Sequence, residues 1–169
     1  VWCAAWRTST WALAGAQAML SGRPVSLAAF DSGELRAWVA RTVRERPIAE
    51  IYVFSGQMGQ FVPADYRGRL VVDLVDVDSA KFEAFAAAGS GPMAWVHARE
   101  GRLLRGVEAD LAARADACLL VSEEEAALLR SRGAAGNIRA LRNGVDSDGF
   151  DPAACVPAPE LADGKGPHM

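Results

Sequence analysis

Residues 69–79 read Arg-Leu-Val-Val-Asp-Leu-Val-Asp-Val-Asp-Ser, an apolar run that gives way to carboxylates. The apolar part, Arg69 to Val75, has the length and the Val and Leu content of a β-strand. Unpaired carboxylates are costly to bury. We therefore expect Asp76 and Asp78 to lie just beyond the end of this strand, at a sheet edge in contact with water or ligand.

Three further apolar segments on either side of this strand predict strands, and helical patterns separate them. The predicted strands cover residues 48–54, 117–121 and 138–141, the first of them as a buried strand. The predicted helices cover residues 2–20, 31–46, 79–88, 92–114 and a segment that starts at 123. Asp31 or Ser32 is expected to cap the second helix, and Ser122 is expected to form a capping box with Glu125 at the start of the last. Strands alternating with helices predict an α/β fold, a Rossmann-like parallel sheet with helices on both faces.

The composition excludes several classes of protein. The chain has 169 residues, 51% hydrophobic residues and a net charge of −3, which suits one domain and gives no basic field for nucleic acid. Neither a membrane-spanning stretch nor a secretory signal is visible. Three scattered cysteines predict a reducing, cytoplasmic setting, and two distant histidines make a zinc site improbable.

Ligands of parallel α/β sheets bind at the carboxyl ends of the strands, so the residues that follow each strand are the candidate site. They are Ser55, Gly56, Asp76, Asp78, Ser79, Ser122, Asn143, Gly144 and Asp146. Plainer interpretations stay open. Either Asp76 or Asp78 is a candidate helix cap, and the glycine loop after the first strand is more often a tight connection than a phosphate cradle. Asp76-Val77-Asp78 is also a D-x-D tripeptide, which alone is a weak metal-site signal.

The helix over residues 92–114 carries mixed charges and one histidine. Charged residues at spacings of three and four indicate a solvated helix with ion pairs; they are Arg99, Glu100, Arg102, Arg105, Glu108 and Asp110. His97 is interpreted as a surface or core residue rather than a catalytic one.

Two motifs near the end of the chain resemble a known family. Residues 142–152 read Arg-Asn-Gly-Val-Asp-Ser-Asp-Gly-Phe-Asp-Pro, and residues 115–123 read Ala-Asp-Ala-Cys-Leu-Leu-Val-Ser-Glu. Together they resemble the end of the N-terminal domain of family 4 GT-B glycosyltransferases. Upstream segments, among them Val53-Phe54-Ser55 and Arg99-Glu100-Gly101-Arg102, are similar to the sugar transferases associated with exosortase (PEP-CTERM) and exopolysaccharide gene clusters.

The resemblance implies a retaining transferase with two Rossmann-like domains. The first binds a glycan or lipid-linked acceptor, the second binds the nucleotide-sugar co-substrate, and no separate cofactor or metal is expected. Residues 1–152 are then expected to be part of the acceptor-side domain, and residues 153–169 a linker toward a second domain outside this sequence. The parent enzyme is expected in the cytoplasm or at the inner face of the membrane, and this fragment alone is expected to be inactive. Many members have a histidine near the position of Val75, so a supporting histidine is not carried over.

Two other hypotheses stay open at this point. One is a metal-dependent transferase that uses Asp76 and Asp78 as ligands. The other is a non-catalytic, flavodoxin-like binding module.

Overall fold

The computed structural model describes Gly15 and residues 18–151. The chain adopts an α/β fold in which four parallel strands are flanked by helices, as in a Rossmann-like domain. The strands are β1 (Glu50–Phe54), β2 (Arg69–Val75), β3 (Ala117–Leu120) and β4 (Ile138–Ala140). They are arranged in the order β1-β2-β3-β4, so each strand lies beside the one that precedes it in sequence. The predicted parallel sheet is confirmed.

Within the described residues, five helices with defined bounds and one 3₁₀ helix connect and precede these strands. They are α1 (Val25–Ala29), α2 (Gly33–Glu45), the 3₁₀ helix Gly56–Phe61, α3 (Asp78–Ala88), α4 (Gly91–Arg114) and α5 (Glu123–Ser131). Residues 18–21 are also helical. The rest of the helix predicted over residues 2–20 lies outside the described residues, as does the linker predicted over residues 153–169. Among the described helices, none has the length and apolar character needed to cross a membrane.

Local sequence signals set the ends of two helices as predicted. The Ser32 hydroxyl accepts the N–H of Leu35 at 3.2 Å and begins α2. The Ser122 hydroxyl accepts the N–H of Glu125, also at 3.2 Å, and begins α5. Such caps satisfy amides that have no partner inside the helix. Past the end of α5, Gly133 takes a φ of 93°, which an L side chain rarely adopts.

The core is built from alternate strand residues. Val53 of β1, Val72 of β2 and Cys118 of β3 point to the same side and join one buried cluster with residues of α4 and α5. The helical members include Leu111, Ala112, Ala126 and Leu129. Burying each large aliphatic side chain of this kind contributes about 1.5–3 kcal/mol. The cluster therefore anchors α4 and α5 against the sheet.

The first predicted strand is not a buried strand. Only Val53 of β1 is buried, whereas Tyr52 is 54% and Phe54 62% exposed. The reason is the sheet order, which places β1 at the edge of the described sheet, paired only with β2 among the described residues.

The prediction of a solvated charged face on α4 is wrong for three residues. Arg99, Glu100 and Glu108 are only 9%, 2% and 4% exposed. Arg99 donates to the backbone oxygens of Ala18 and Arg23, at 3.0 and 3.2 Å. These side chains are buried because backbone groups of neighbouring segments satisfy them.

Glu100 caps α1 from outside that helix. Its carboxylate accepts the N–H groups of Val25 and Ser26, at 2.7 and 2.8 Å, and the Ser26 hydroxyl at 2.7 Å. A carboxylate at a helix N-terminus satisfies unpaired amides and interacts favourably with the helix dipole. Glu100 therefore ties α1 to α4.

Candidate functional site

The four strands end at one edge of the sheet, which we call the carboxyl edge. Ser55 follows β1, Asp76 follows β2, and Ser122 lies just after β3; Asn143 follows β4 by three residues. Because all four strands are parallel, the predicted segments lie along the same edge.

Two residues at this edge have an unusual backbone. Ser55 and Val75 have φ angles of 74° and 71°, the two positive values at non-glycine residues in the described chain. At Val75 the N–H of Asp76 bonds to the oxygen of Leu74 at 2.9 Å, which closes a tight turn, and the register with β3 shifts. A left-handed backbone costs an L residue roughly 1–2 kcal/mol. Such strain concentrates at functional sites.

Asp73 is held in place just before the strained turn. Its Oδ1 accepts the N–H of Val75 at 3.1 Å, and its Oδ2 accepts the Tyr52 hydroxyl at 2.5 Å. The hydrogen bond to Asp73 raises the pKa of Tyr52, and the carboxylate charge adds to that effect. Asp73 is therefore part of the support of the edge.

Asp78 lies in a polar network that joins the ends of β1 and β2. Its Oδ2 accepts Nε2 of Gln57 at 2.9 Å, and its Oδ1 accepts the Lys81 ammonium. The hydrogen bond to Asp78 raises the pKa of Lys81, and the charges of Asp78 and Asp76 act in the same direction. Both Asp78 oxygens are thus engaged, whereas Asp76 is exposed to solvent.

The network bears on the D-x-D interpretation. A metal bound by Asp76 and Asp78 would have to displace Gln57 or Lys81 from Asp78. Among the described residues, no group of three or more His, Cys, Asp or Glu side chains is arranged to hold a metal ion.

The glycine loop after β1 is a tight connection. The Ser55 hydroxyl hydrogen-bonds to the Gln57 side chain within the loop. A Cβ on Gly56 would lie 3.3 Å from a methyl carbon of Leu74, which is tight packing against β2. This geometry favours the plainer interpretation of the loop over a phosphate cradle.

Ser79 lies inside the domain, although it was predicted to be a site residue at the carboxyl ends of the strands. It is fully buried, and its N–H and hydroxyl donate to the Glu108 carboxylate, at 2.8 and 2.5 Å. Neither Asp76 nor Asp78 is the cap of α3, because Val77 occupies that position without a side-chain cap. Glu108 instead satisfies the first turn of α3 from α4.

Ser122 and Glu125 connect α5 to the neighbouring strand end. Ser122 caps α5, but the carboxylate of Glu125 does not close a reciprocal capping box. The Glu125 carboxylate instead accepts the N–H of Val77 at 2.8 Å. Glu125 thereby fixes the backbone between Asp76 and Asp78.

The segment after β4 is an exposed chain without regular secondary structure. Asn143, Gly144 and Asp146 are all exposed, and Asp146 Oδ1 accepts the N–H of Gly149 at 3.0 Å in a local turn. The Leu141 N–H donates to the oxygen of Leu120 at 2.7 Å, which fixes the start of this segment beside β3. The Asn143 amide is therefore open to a ligand.

Arg142 links this segment electrostatically to α5. The pKa of Glu124 is lowered by hydrogen bonds from its own backbone N–H and from Ser122, and the Arg142 charge lowers it further. The segment after β4 therefore starts beside the first turn of α5.

Two cavities lie away from the predicted residues. One of about 280 Å³ lies between β1 and the α2 residues Leu35 and Val39. A larger one, about 430 Å³, lies around Ile48 and Gly68, which precede β1 and β2 at the opposite edge. None of the nine candidate residues lines either of these two cavities.

Sequence reasoning missed the residues that support this surface. Gln57, Glu108 and Glu125 act through partners 21 to 48 residues away, so no local pattern identifies them.

Comparisons with protein-family models, with curated proteins and with solved structures find no match to this chain. The structure itself therefore defines the class, an α/β domain with a polar carboxyl edge.

Proposed function

We propose that this chain is the acceptor-side domain of a GT-B glycosyltransferase, which transfers a sugar from a nucleotide-sugar to a glycan or lipid-linked acceptor with retention of configuration. The observation that carries the proposal is the carboxyl edge, where exposed Asp76 follows the strained turn at Val75. The motif Asn143-Gly144-Val145-Asp146 lies on the exposed segment after β4. This motif carries part of the resemblance to family 4 GT-B glycosyltransferases, and upstream segments such as Val53-Phe54-Ser55 carry the resemblance to exopolysaccharide transferases.

The chemistry of this edge suits sugar hydroxyl groups. The Asp76 carboxylate can accept two hydroxyl hydrogen bonds, and the Asn143 amide can both donate and accept. Hydrogen bonds to a charged group are worth about 1.5–3 kcal/mol each. Glu125 holds the backbone next to Asp76, because its carboxylate accepts the N–H of Val77. A fixed acceptor of this kind positions a reacting hydroxyl group.

The charge of the edge argues against a diphosphate site on this domain. Asp76, Asp78 and the first turn of α5, Glu123 to Glu125, are acidic. The nearby cations already face carboxylates of this edge: Lys81 pairs with Asp78, Arg130 with Glu123, and Arg142 acts on Glu124. The negative charges of a diphosphate would be repelled by these carboxylates. We therefore assign the nucleotide diphosphate to the second domain that the resemblance implies, where positive or N–H groups must stabilise the departing phosphate.

The test uses the complete reading frame that contains these 169 residues. Release of nucleoside diphosphate is measured with a panel of nucleotide-sugars and a membrane lipid extract as the acceptor source. The variants are Asp76→Asn and Asn143→Ala. The matched control is Asp65→Asn, an exposed aspartate beside the cavity at the opposite edge.

We expect turnover to fall about ten- to a hundredfold in Asp76→Asn, which loses a charged acceptor, and about two- to tenfold in Asn143→Ala, which loses a neutral hydrogen bond. The Asp65 variant should match the parent. Equal turnover in all four proteins would reject the site, and no release from any nucleotide-sugar would reject the transferase in favour of a binding module.

A further inference from the structure

The larger of the two cavities described above lies at the amino edge of the sheet, where the strands begin. It has a volume of about 430 Å³ and is bounded by the last turns of α2, by residues 46–48 before β1 and by residues of the segment 63–68 before β2. A smaller cavity of about 160 Å³ adjoins it, because Tyr66, Arg67 and Gly68 line both. A volume of roughly 300–1,000 Å³ suits a small molecule. We call the larger space the amino-edge cavity.

Part of the amino-edge cavity is apolar and has a fixed shape. Its apolar lining residues are Ala40, Val43, Pro47, Ile48 and Pro63. The Tyr66 hydroxyl donates to the backbone oxygen of Ile48 at 3.1 Å, so the aromatic ring is held against the segment before β1. Gly68 is needed beside it, because a Cβ there would collide with the Tyr66 hydroxyl and with the backbone oxygen of Ala49. The cavity therefore has a preformed apolar wall.

Three exposed arginines, Arg44, Arg46 and Arg67, line the same cavity. Within the described part of the chain, none of their guanidinium groups has an ion pair or a hydrogen bond. By contrast, Arg69 pairs with Glu50 at 3.1 Å, and Arg132 pairs with a carboxylate on α3. Each guanidinium group carries five N–H donors. The cavity thus gathers donors that the described chain leaves available to a ligand.

The charge of the lining is positive. Asp65 is the one carboxylate among the lining residues, so the three arginines leave a net charge of +2. The partial negative charge at the carboxyl end of α2 is only about half an elementary charge. Two further carboxylates near Tyr66 are already engaged: Glu50 pairs with Arg69, and Asp116 accepts the N–H of Leu70 at 2.8 Å. The cavity is therefore a positive site on a chain whose net charge is −3.

We propose that the amino-edge cavity binds a small phosphorylated compound, whose phosphate group accepts hydrogen bonds from the arginines and whose organic part lies against Tyr66 and the apolar wall. Guanidinium groups match phosphate oxygens in geometry and charge. A phosphate group carries more negative charge than a carboxylate and has three strong acceptor oxygens, so it suits several arginines at once. The cavity lies at the edge opposite the carboxyl edge, and this inference does not rest on the proposed transferase activity.

The test measures binding of phenyl phosphate and of inorganic phosphate to the 169-residue chain by isothermal titration calorimetry. The parent is compared with the double variant Arg46→Gln and Arg67→Gln, whose two arginines lie outside the helices, and with Asp65→Asn. Arg102→Gln is the matched control, because Arg102 is an exposed arginine on α4 that lines neither cavity. Far-UV circular dichroism checks that all four proteins are folded.

We expect phenyl phosphate to bind the parent more tightly than inorganic phosphate does, because only the phenyl ring can bury apolar surface against Tyr66 and its neighbours. The double variant should bind phenyl phosphate at least about tenfold more weakly, because two charged donors are lost. Asp65→Asn should bind it about two- to fivefold more tightly, since a competing negative charge is removed. Arg102→Gln should match the parent, and added salt should weaken binding.

Several outcomes would overturn the proposal. One is that phenyl phosphate does not bind the parent, and another is that the double variant binds it as tightly as the parent does. An equal loss in Arg102→Gln would show that the effect is general to the surface charge. A separate flotation experiment uses vesicles that contain phosphatidic acid; binding to these vesicles without binding of phenyl phosphate would assign the arginines to a lipid headgroup instead of a small molecule.

Discussion

Replacing Glu108 tests how α3 is held to α4. The carboxylate accepts two buried donors, the N–H and the hydroxyl of Ser79. In Glu108→Leu both donors lose their acceptor, and each unsatisfied buried group costs about 1–3 kcal/mol. Since the leucine recovers part of this cost by apolar burial, we expect a net loss of about 3 kcal/mol. In a chain of this size that loss lowers the melting temperature by roughly 6–12 °C.

Glu108→Gln is the matched variant. Its amide oxygen can still accept from Ser79, so we expect stability within about 1 kcal/mol of the parent. Burial raises the pKa of Glu108 above its ordinary value of 4.5, although the hydrogen bonds from Ser79 oppose that shift. A carboxyl group with a raised folded pKa contributes stability fully below pH 4.5 and loses it as the pH rises through the folded pKa. Glutamine does not ionise, so the stability of Glu108→Gln relative to the parent should increase over the same pH range.

Urea denaturation followed by circular dichroism, repeated across the pH range, measures both effects. A Gln variant as unstable as the Leu variant at neutral pH would show that the negative charge is required. The reasoning from burial would then be refuted.

Three more predictions concern glycine packing, backbone strain and the buried thiol. Gly101→Ala should cost about 1–3 kcal/mol, because the new Cβ would lie 2.9 Å from the backbone oxygen of Ser79; Gly106→Ala, with nothing within 4 Å, should gain up to about 1 kcal/mol in urea denaturation. At Val75, glycine should be more stable than alanine by about 1 kcal/mol, the reverse of an ordinary strand position, because of the positive φ; equal stabilities would contradict the strain. Burial raises the pKa of Cys118 to about 11, so in a background without the other two cysteines it should react with a thiol reagent only after unfolding; rapid labelling of the folded chain would contradict its burial.

The sequence allowed a good prediction of those elements whose signals are local. The apolar runs of β2 and β3 and the caps Ser32 and Ser122 each act within a few residues. Because the strands are parallel, the segments that follow them lie at one edge of the sheet, and the alternation of strands and helices in the sequence was enough to predict this.

The remaining features depend on partners that are distant in sequence. Exposure of Tyr52 follows from the position of β1 at the edge of the described sheet, which no property of residues 48–54 encodes. Burial of Glu100 and Glu108 follows from amides of α1 and α3, so the charge pattern of α4 alone was misleading. The exposed site residues stay predictions, because the function of an open surface is not contained in its local geometry.

Two buried carboxylates on α4 hold two other helices to it. Glu100 and Glu108 are about 12 Å apart along its axis, and each holds the first turn of a different helix. Local opening of α4 would release α1 and α3 at the same moment. The amide hydrogens of Val25, Ser26 and Ser79 should therefore exchange with solvent together, as one cooperative unit, although more than fifty residues separate them in sequence.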